Sequence, residues 1–134
     1  LRKQGHALFT QKDAIGTTQM IIWAAREPFL KKNRAAMVDF MEDVLTVVRW
    51  YMDPKNHKAA VAAAAKLTKT PPRVWDAWLF TKKDYYRDPN MIPNLKALQS
   101  NMDTQLKLGF LKKRIDVNKY VDLSIVKEAA KRLE

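Results

Sequence analysis

Cysteine is absent from the 134 residues, which excludes disulfides, thiolate metal sites and cysteine nucleophiles and is compatible with any compartment. Glycine occurs only at Gly5, Gly16 and Gly109, so there is no glycine-rich phosphate loop, and neither a serine elbow nor a zinc-type pair is found. The two histidines, His6 and His57, have no companion histidine or carboxylate at ligand spacing, so neither a metal nor another cofactor is expected. With no catalytic constellation in view, the chain reads as non-enzymatic. No apolar run reaches the roughly 18 residues that span a bilayer, and the chain reads as soluble. It opens on Leu1 without the charged, apolar and small-residue pattern of a targeting segment. Either no such segment existed or it was removed together with more sequence.

What is present is enough apolar content, 47% hydrophobic residues, for one domain with a real core and too little for two ordinary ones. Lysine and arginine total 25 against 14 acids, a net charge of +11. Such a balance suits nucleic acid, an anionic membrane or an anionic solute. The cations are scattered, at Arg2 and Lys3, Lys31, Lys32 and Arg34, Lys82 and Lys83, Lys112 to Arg114, and Lys127, Lys131 and Arg132. Solvated helix ends and polar faces account for that distribution, and no nucleic-acid partner is expected.

Along the chain, punctuation comes from proline and asparagine. Ala7–Thr10 reads as a short strand, Asp13–Gly16 as a turn and Gln19–Ala25 as a second strand, apolar on both faces and therefore buried. Asn33 is placed to cap the longest helix, whose apolar stripe is Ala36, Met37, Phe40, Met41, Val44, Val47, Val48 and Tyr51, and Asp53-Pro54 ends it near Met52. Asn56 caps a second helix through the alanines 59–65, and Pro71-Pro72 opens a short third one with Val74, Trp75, Trp78 and Leu79 on one face. A polar stretch, "KKDYYRDPN", follows. After Pro93 a fourth helix carries Leu95, Leu98, Met102 and Leu106 to a stop at Gly109, and Asp122 or Ser124 caps the last one. The expectation is an α/β chain, predominantly helical, with about five helices and two strands. Two strands alone make a marginal sheet, so the chain is expected to be part of something larger or to pair with another copy.

The succession Leu8-Phe-Thr10, Asp13, Gly16, Gln19, "WAAR" at 23–26, "FLKKNRAAMVDFMEDVL" at 29–45, "RWYMDP" at 49–54, "DYYRDPN" at 84–90 and "VDLSIVKEAAKRL" at 121–133 resembles the C-terminal part of periplasmic solute-binding proteins of ABC importers. The branch is the nitrate/sulfonate/taurine and thiamine-pyrimidine-precursor type. The likeness covers nearly all of this chain and less than half of a family member, and it rests on the order and spacing of the motifs. It implies a two-lobe, periplasmic-binding-protein-like (type II) fold, with residues 1–18 forming the end of the second lobe and the hinge crossing and 19–134 the C-terminal contribution to the first lobe. It also implies a periplasmic location, capture of a small, anionic solute such as a sulfonate, nitrate or carboxylate between the lobes, and delivery to the ABC permease in the membrane. The fungal thiamine-pyrimidine synthases, enzymatic relatives, carry a cysteine-rich motif that cannot exist here.

On that resemblance the hinge and ligand-binding candidates are Gly16, Thr17, Thr18 and Gln19, with Asp13 beside them. The threonines offer hydroxyls and amides to an anionic head group, or they merely satisfy the turn; both readings stand. Asp13 reads first as a turn or cap residue. Trp23, Trp50, Trp75 and Trp78 read as core rather than as an aromatic pocket. Tyr85, Tyr86 and Arg87 read as structural or surface residues, and Asp39, Glu42 and Asp43 as a solvated acidic group. The alternative function is a small basic helical module binding nucleic acid or a partner protein, which requires cations converging on one face with aromatics between them. If the missing lobe leaves apolar surfaces bare, a homo-oligomer is expected.

Overall fold

The computed structural model describes residues 6, 8–79 and 87–134. Among them there are seven α-helices and no strand, so the expected α/β fold with its two-lobe sheet is replaced by an all-helical one. Both predicted strands fail for local reasons. Ala7 lies outside the described residues, and Leu8 and Phe9 lead without regular structure into α1 (Gln11–Ile15), which takes the place of the predicted turn. Thr10 and Asp13 form a capping box, each satisfying the other's backbone donor. The run Gln19–Ala25 is extended but unladdered. A strand needs a partner backbone, and no second β-rich run in the described chain supplies one.

The chain divides into two compact units, one drawn from Leu1–Ala24 and Pro93–Val121, the other from Ala25–Ile92 and Asp122–Glu134. In the second unit, α2 (Glu27–Lys32) starts with Pro28 in its first turn, where a missing N–H costs nothing. The break before α3 (Arg34–Met52) falls at Asn33. Its side chain does not cap α3 as expected; its Nδ2 donates back to the Phe29 carbonyl at 2.9 Å. Asn56 likewise donates to the Trp50 carbonyl at 3.0 Å instead of capping α4 (His57–Thr68). Asp53 turns the chain through a 3₁₀ turn, Pro54–Asn56, by accepting from the Lys55 amide at 2.9 Å. The short α5 (Pro72–Asp76) follows the two prolines as predicted.

The core of this unit lies between α3 and α7 (Ser124–Arg132). Val38 (1% exposed) and Leu45 (0%) on α3 meet Ile125, Val126, Ala129 and Ala130 on α7. Burying each of the two larger side chains stabilises the fold by about 1.5–3 kcal/mol. The buried face of α3 thus overlaps only the edge of the predicted stripe: Met37 and Met41 pack against the core, while Phe40 (45% exposed) and Val47 (57%) stay outside. Arg49, half-buried, closes the far end of α7: it donates to the carbonyls of Ala130 (3.5 Å) and Leu133 (3.3 Å) and to Asn90 Oδ1 (2.7 Å). Asp39, exposed as expected, and Glu42, half-buried, also accept from the Arg132 guanidinium at 2.7 and 3.4 Å.

The first unit is organised by α6 (Leu95–Lys107), capped by Asn94 Oδ1, which accepts from the Ala97 amide at 2.9 Å. Ala97, Leu98 and Val117 are its buried apolar residues. Gln99 latches the returning chain: its Nε2 donates to the Ile115 carbonyl and its Oε1 accepts from the Val117 amide, both at 2.9 Å. Gly109 ends α6 at φ +80° as predicted.

Candidate functional site

Of the site candidates read from the sequence, Asp13 lies within α1, and Thr17, Thr18 and Gln19 lie on the connector that leaves it. Asp13 is bound into the cap: its Oδ2 accepts from the Thr10 amide and the Thr10 hydroxyl, both at 2.7 Å, and its own amide donates to Thr10 Oγ1 at 3.3 Å. Those bonds, from the hydroxyl first and the amide second, hold its carboxyl below the usual aspartate range, with Lys12 adding a smaller favourable charge. The negative charge is therefore spent on the start of α1.

Gly16 closes α1 by donating its amide to the Lys12 carbonyl at 2.9 Å, and it does so at φ 76°, ψ −162°. That backbone region is open almost only to glycine, and a side chain there costs about 1–3 kcal/mol. A Cβ at this position would meet nothing within 4 Å, so the constraint lies in the backbone angles and not in crowding. Thr17, exposed, and Thr18, half-buried, come next, and neither hydroxyl is hydrogen-bonded to another described residue. Gln19 is fully committed: its Oε1 accepts from the Asn94 amide (2.9 Å), its Nε2 donates to the Ile21 carbonyl (2.8 Å), and its own carbonyl accepts from Asn101 Nδ2 (2.7 Å). Of the four named ligand candidates, two are engaged in holding structure and two keep free hydroxyls between a glycine bend and an anchored glutamine.

The residues missed in the sequence are those that anchor the connector, Asn94 and Asn101. Both lie on α6 or at its cap, roughly 75–80 positions from Gln19, and polar spacing within either segment carries no sign of the match. Lys96, Gln99, Ser100, Asp103, Thr104 and Lys107 line a shallow, open depression of about 420 Å³ on the polar face of α6. Asp103 there accepts from Gln99 Nε2 at 2.9 Å and pairs with Arg114 at 3.6 Å.

The tempting residues elsewhere are structural. Trp75 donates to Thr68 Oγ1 at 3.1 Å and lies 5.4 Å from Trp78, while Tyr51 donates to the Ala60 carbonyl at 3.0 Å. Trp50 and Trp23, expected in the core, are exposed. His57 Nε2 does find a carboxylate, Asp76 Oδ1 at 2.9 Å, brought in by α5. No cluster of metal-ligating side chains occurs among the described residues, and none of their helices is long and apolar enough to cross a membrane. Tyr85 and Tyr86 lie outside the described residues, and Arg87 is half-buried. Comparison with protein-family models, curated proteins and solved structures finds no match to this chain.

Proposed function

We propose that the chain belongs to the solute-binding component of an ABC importer, a non-enzymatic protein that captures a small anionic solute such as a sulfonate, nitrate or carboxylate and passes it to a membrane permease. The observation that carries this reading is the connector itself: a bend at Gly16, two threonines with open hydroxyls, and a glutamine pinned to α6. A segment free to bend at one end and anchored at the other can change angle without losing its footing, which is what capture by closure requires. The Thr17 and Thr18 hydroxyls are donors of the kind that suit the oxygens of such anions. The chain's net charge of +11 raises the local concentration of anions.

The test is titration calorimetry of the full-length protein against nitrate, aliphatic sulfonates and small carboxylates. One of these binds with a Kd in the micromolar range, the Thr17→Ala/Thr18→Ala double variant weakens it about tenfold or more, and the 134-residue chain alone binds no better than millimolar. Absence of binding across the panel, or an isotherm indifferent to the double substitution, contradicts the reading.

A further inference from the structure

The end of α6 presents an apolar wedge among cations. Gly109 and Phe110 close the helix in a Schellman motif, with the Phe110 amide bonded to the Gln105 carbonyl at 2.9 Å and the Gly109 amide to the Leu106 carbonyl at 3.0 Å. In this motif the residue in Phe110's place commonly packs back on an apolar residue in Gln105's place. Here that residue is a glutamine, and Phe110 is left 76% exposed, next to Leu108 at 63%. Lys107, Lys112, Lys113 and Arg114 flank the pair and are exposed. Arg114 reaches Asp103 at 3.6 Å, while Lys107, Lys112 and Lys113 have no ion-pair partner among the described residues.

We propose that the turn from Lys107 to Arg114 docks on an anionic lipid bilayer, with Leu108 and Phe110 entering the interface and the lysines meeting lipid phosphates. Four considerations favour lipid as the occupant. The wedge pairs an aliphatic with a single aromatic side chain, which suits acyl chains, whereas a nucleic-acid surface offers several rings for successive bases. Long lysine stems reach headgroups while their neighbours sit deeper. The helix cap fixes the backbone that carries the wedge, so little backbone ordering accompanies docking. The charge pattern is complementary to the anionic headgroup layer and to nothing apolar. This inference stands apart from solute capture and neither requires it nor follows from it.

Co-sedimentation of the full-length protein with vesicles tests it. The protein binds vesicles of equal parts phosphatidylglycerol and phosphatidylcholine at least about tenfold more tightly than phosphatidylcholine alone, and roughly half-molar salt removes most of that difference. Leu108→Ser/Phe110→Ser weakens binding about tenfold, and Lys112→Glu/Lys113→Glu weakens it at least as much, with unchanged far-ultraviolet circular dichroism. Equal binding to neutral and anionic vesicles, no binding to either, or displacement by an oligothymidylate that the same variants fail to bind overturns the proposal. Because the vesicle comparison and its salt dependence are read on the unaltered protein, the outcome does not depend on how the variants fold.

Discussion

At the scale of single residues, short polar side chains start α1 and α6 and bend the chain into α7, and the cost of removing one can be stated. Asp122 lies one position before the first residue of α7's cap and accepts from the Ser124 hydroxyl at 2.6 Å and the Ser124 amide at 2.8 Å. The hydroxyl bond, then the amide bond, with Arg34 nearby, hold its carboxyl below its ordinary value of 3.8. Because its folded pKa is lower than its unfolded one, the stabilisation is complete above about pH 4 and is lost as pH falls through the folded value. Asp122→Ala is therefore expected to lower unfolding free energy by about 1 kcal/mol near neutral pH, with the difference from wild type narrowing as pH falls through the folded pKa; urea melts at neutral and at acid pH check this. Asp122 and Ser124, the alternative caps read from the sequence, instead flank the observed cap position Leu123 and bond to each other in an Asx turn, which needs only the next two residues. Asn33 and Asn56 do not cap either, since each occupies a cap position and bonds backward to a carbonyl four or six residues earlier. Both are the same residue type at the same kind of place, and only the preceding helix's end decides between the two bonds.

At the scale of elements, the five helices from α3 onward were readable in the sequence, the short α1 and α2 were not, and the orientation of the longest was not either. The proline start of α5 and the Gly109 stop of α6 are local backbone chemistry, and they stand where the sequence put them, whereas the helix opened by Pro28 reads in the sequence only as a lead-in to Asn33. The apolar residues of α3 cover so much of its circumference that the sequence alone leaves the buried face open. The face is chosen by α7, some eighty positions away, whose Ala129 and Ala130 let it approach Val38 and Leu45 closely. Leu45→Ala is accordingly expected to cost about 2–5 kcal/mol, and Phe40→Ala, at a position 45% exposed, less than half as much. Thermal melts of the two variants decide the matter, and a larger loss for Phe40→Ala contradicts the face assigned to α3. The run Gln19–Ala25 misled for the opposite reason. Its β-branched and aromatic content describes a residue environment, not a partner, and without a second strand to pair with it stays extended, held at Gln19, whose carbonyl accepts from Asn101 Nδ2 and whose Oε1 accepts from the Asn94 amide.

At the scale of the whole molecule, the chain carries a net charge of +11 and leaves the apolar residues Met20, Ile21 and Ile22 exposed. The candidate site was partly legible: the glycine bend and the threonines were named from their order in the sequence, whereas the anchoring of Gln19 to α6 depends on two segments meeting in space. The account holds that anions bind at the bend, and hydrogen–deuterium exchange of the full-length protein with and without a panel of nitrate, sulfonates and carboxylates tests this most directly. It predicts that one of these solutes slows exchange at the Thr17, Thr18 and Gln19 amides while leaving α3 and α7 unchanged. Protection that appears elsewhere, or with none of these solutes, contradicts it.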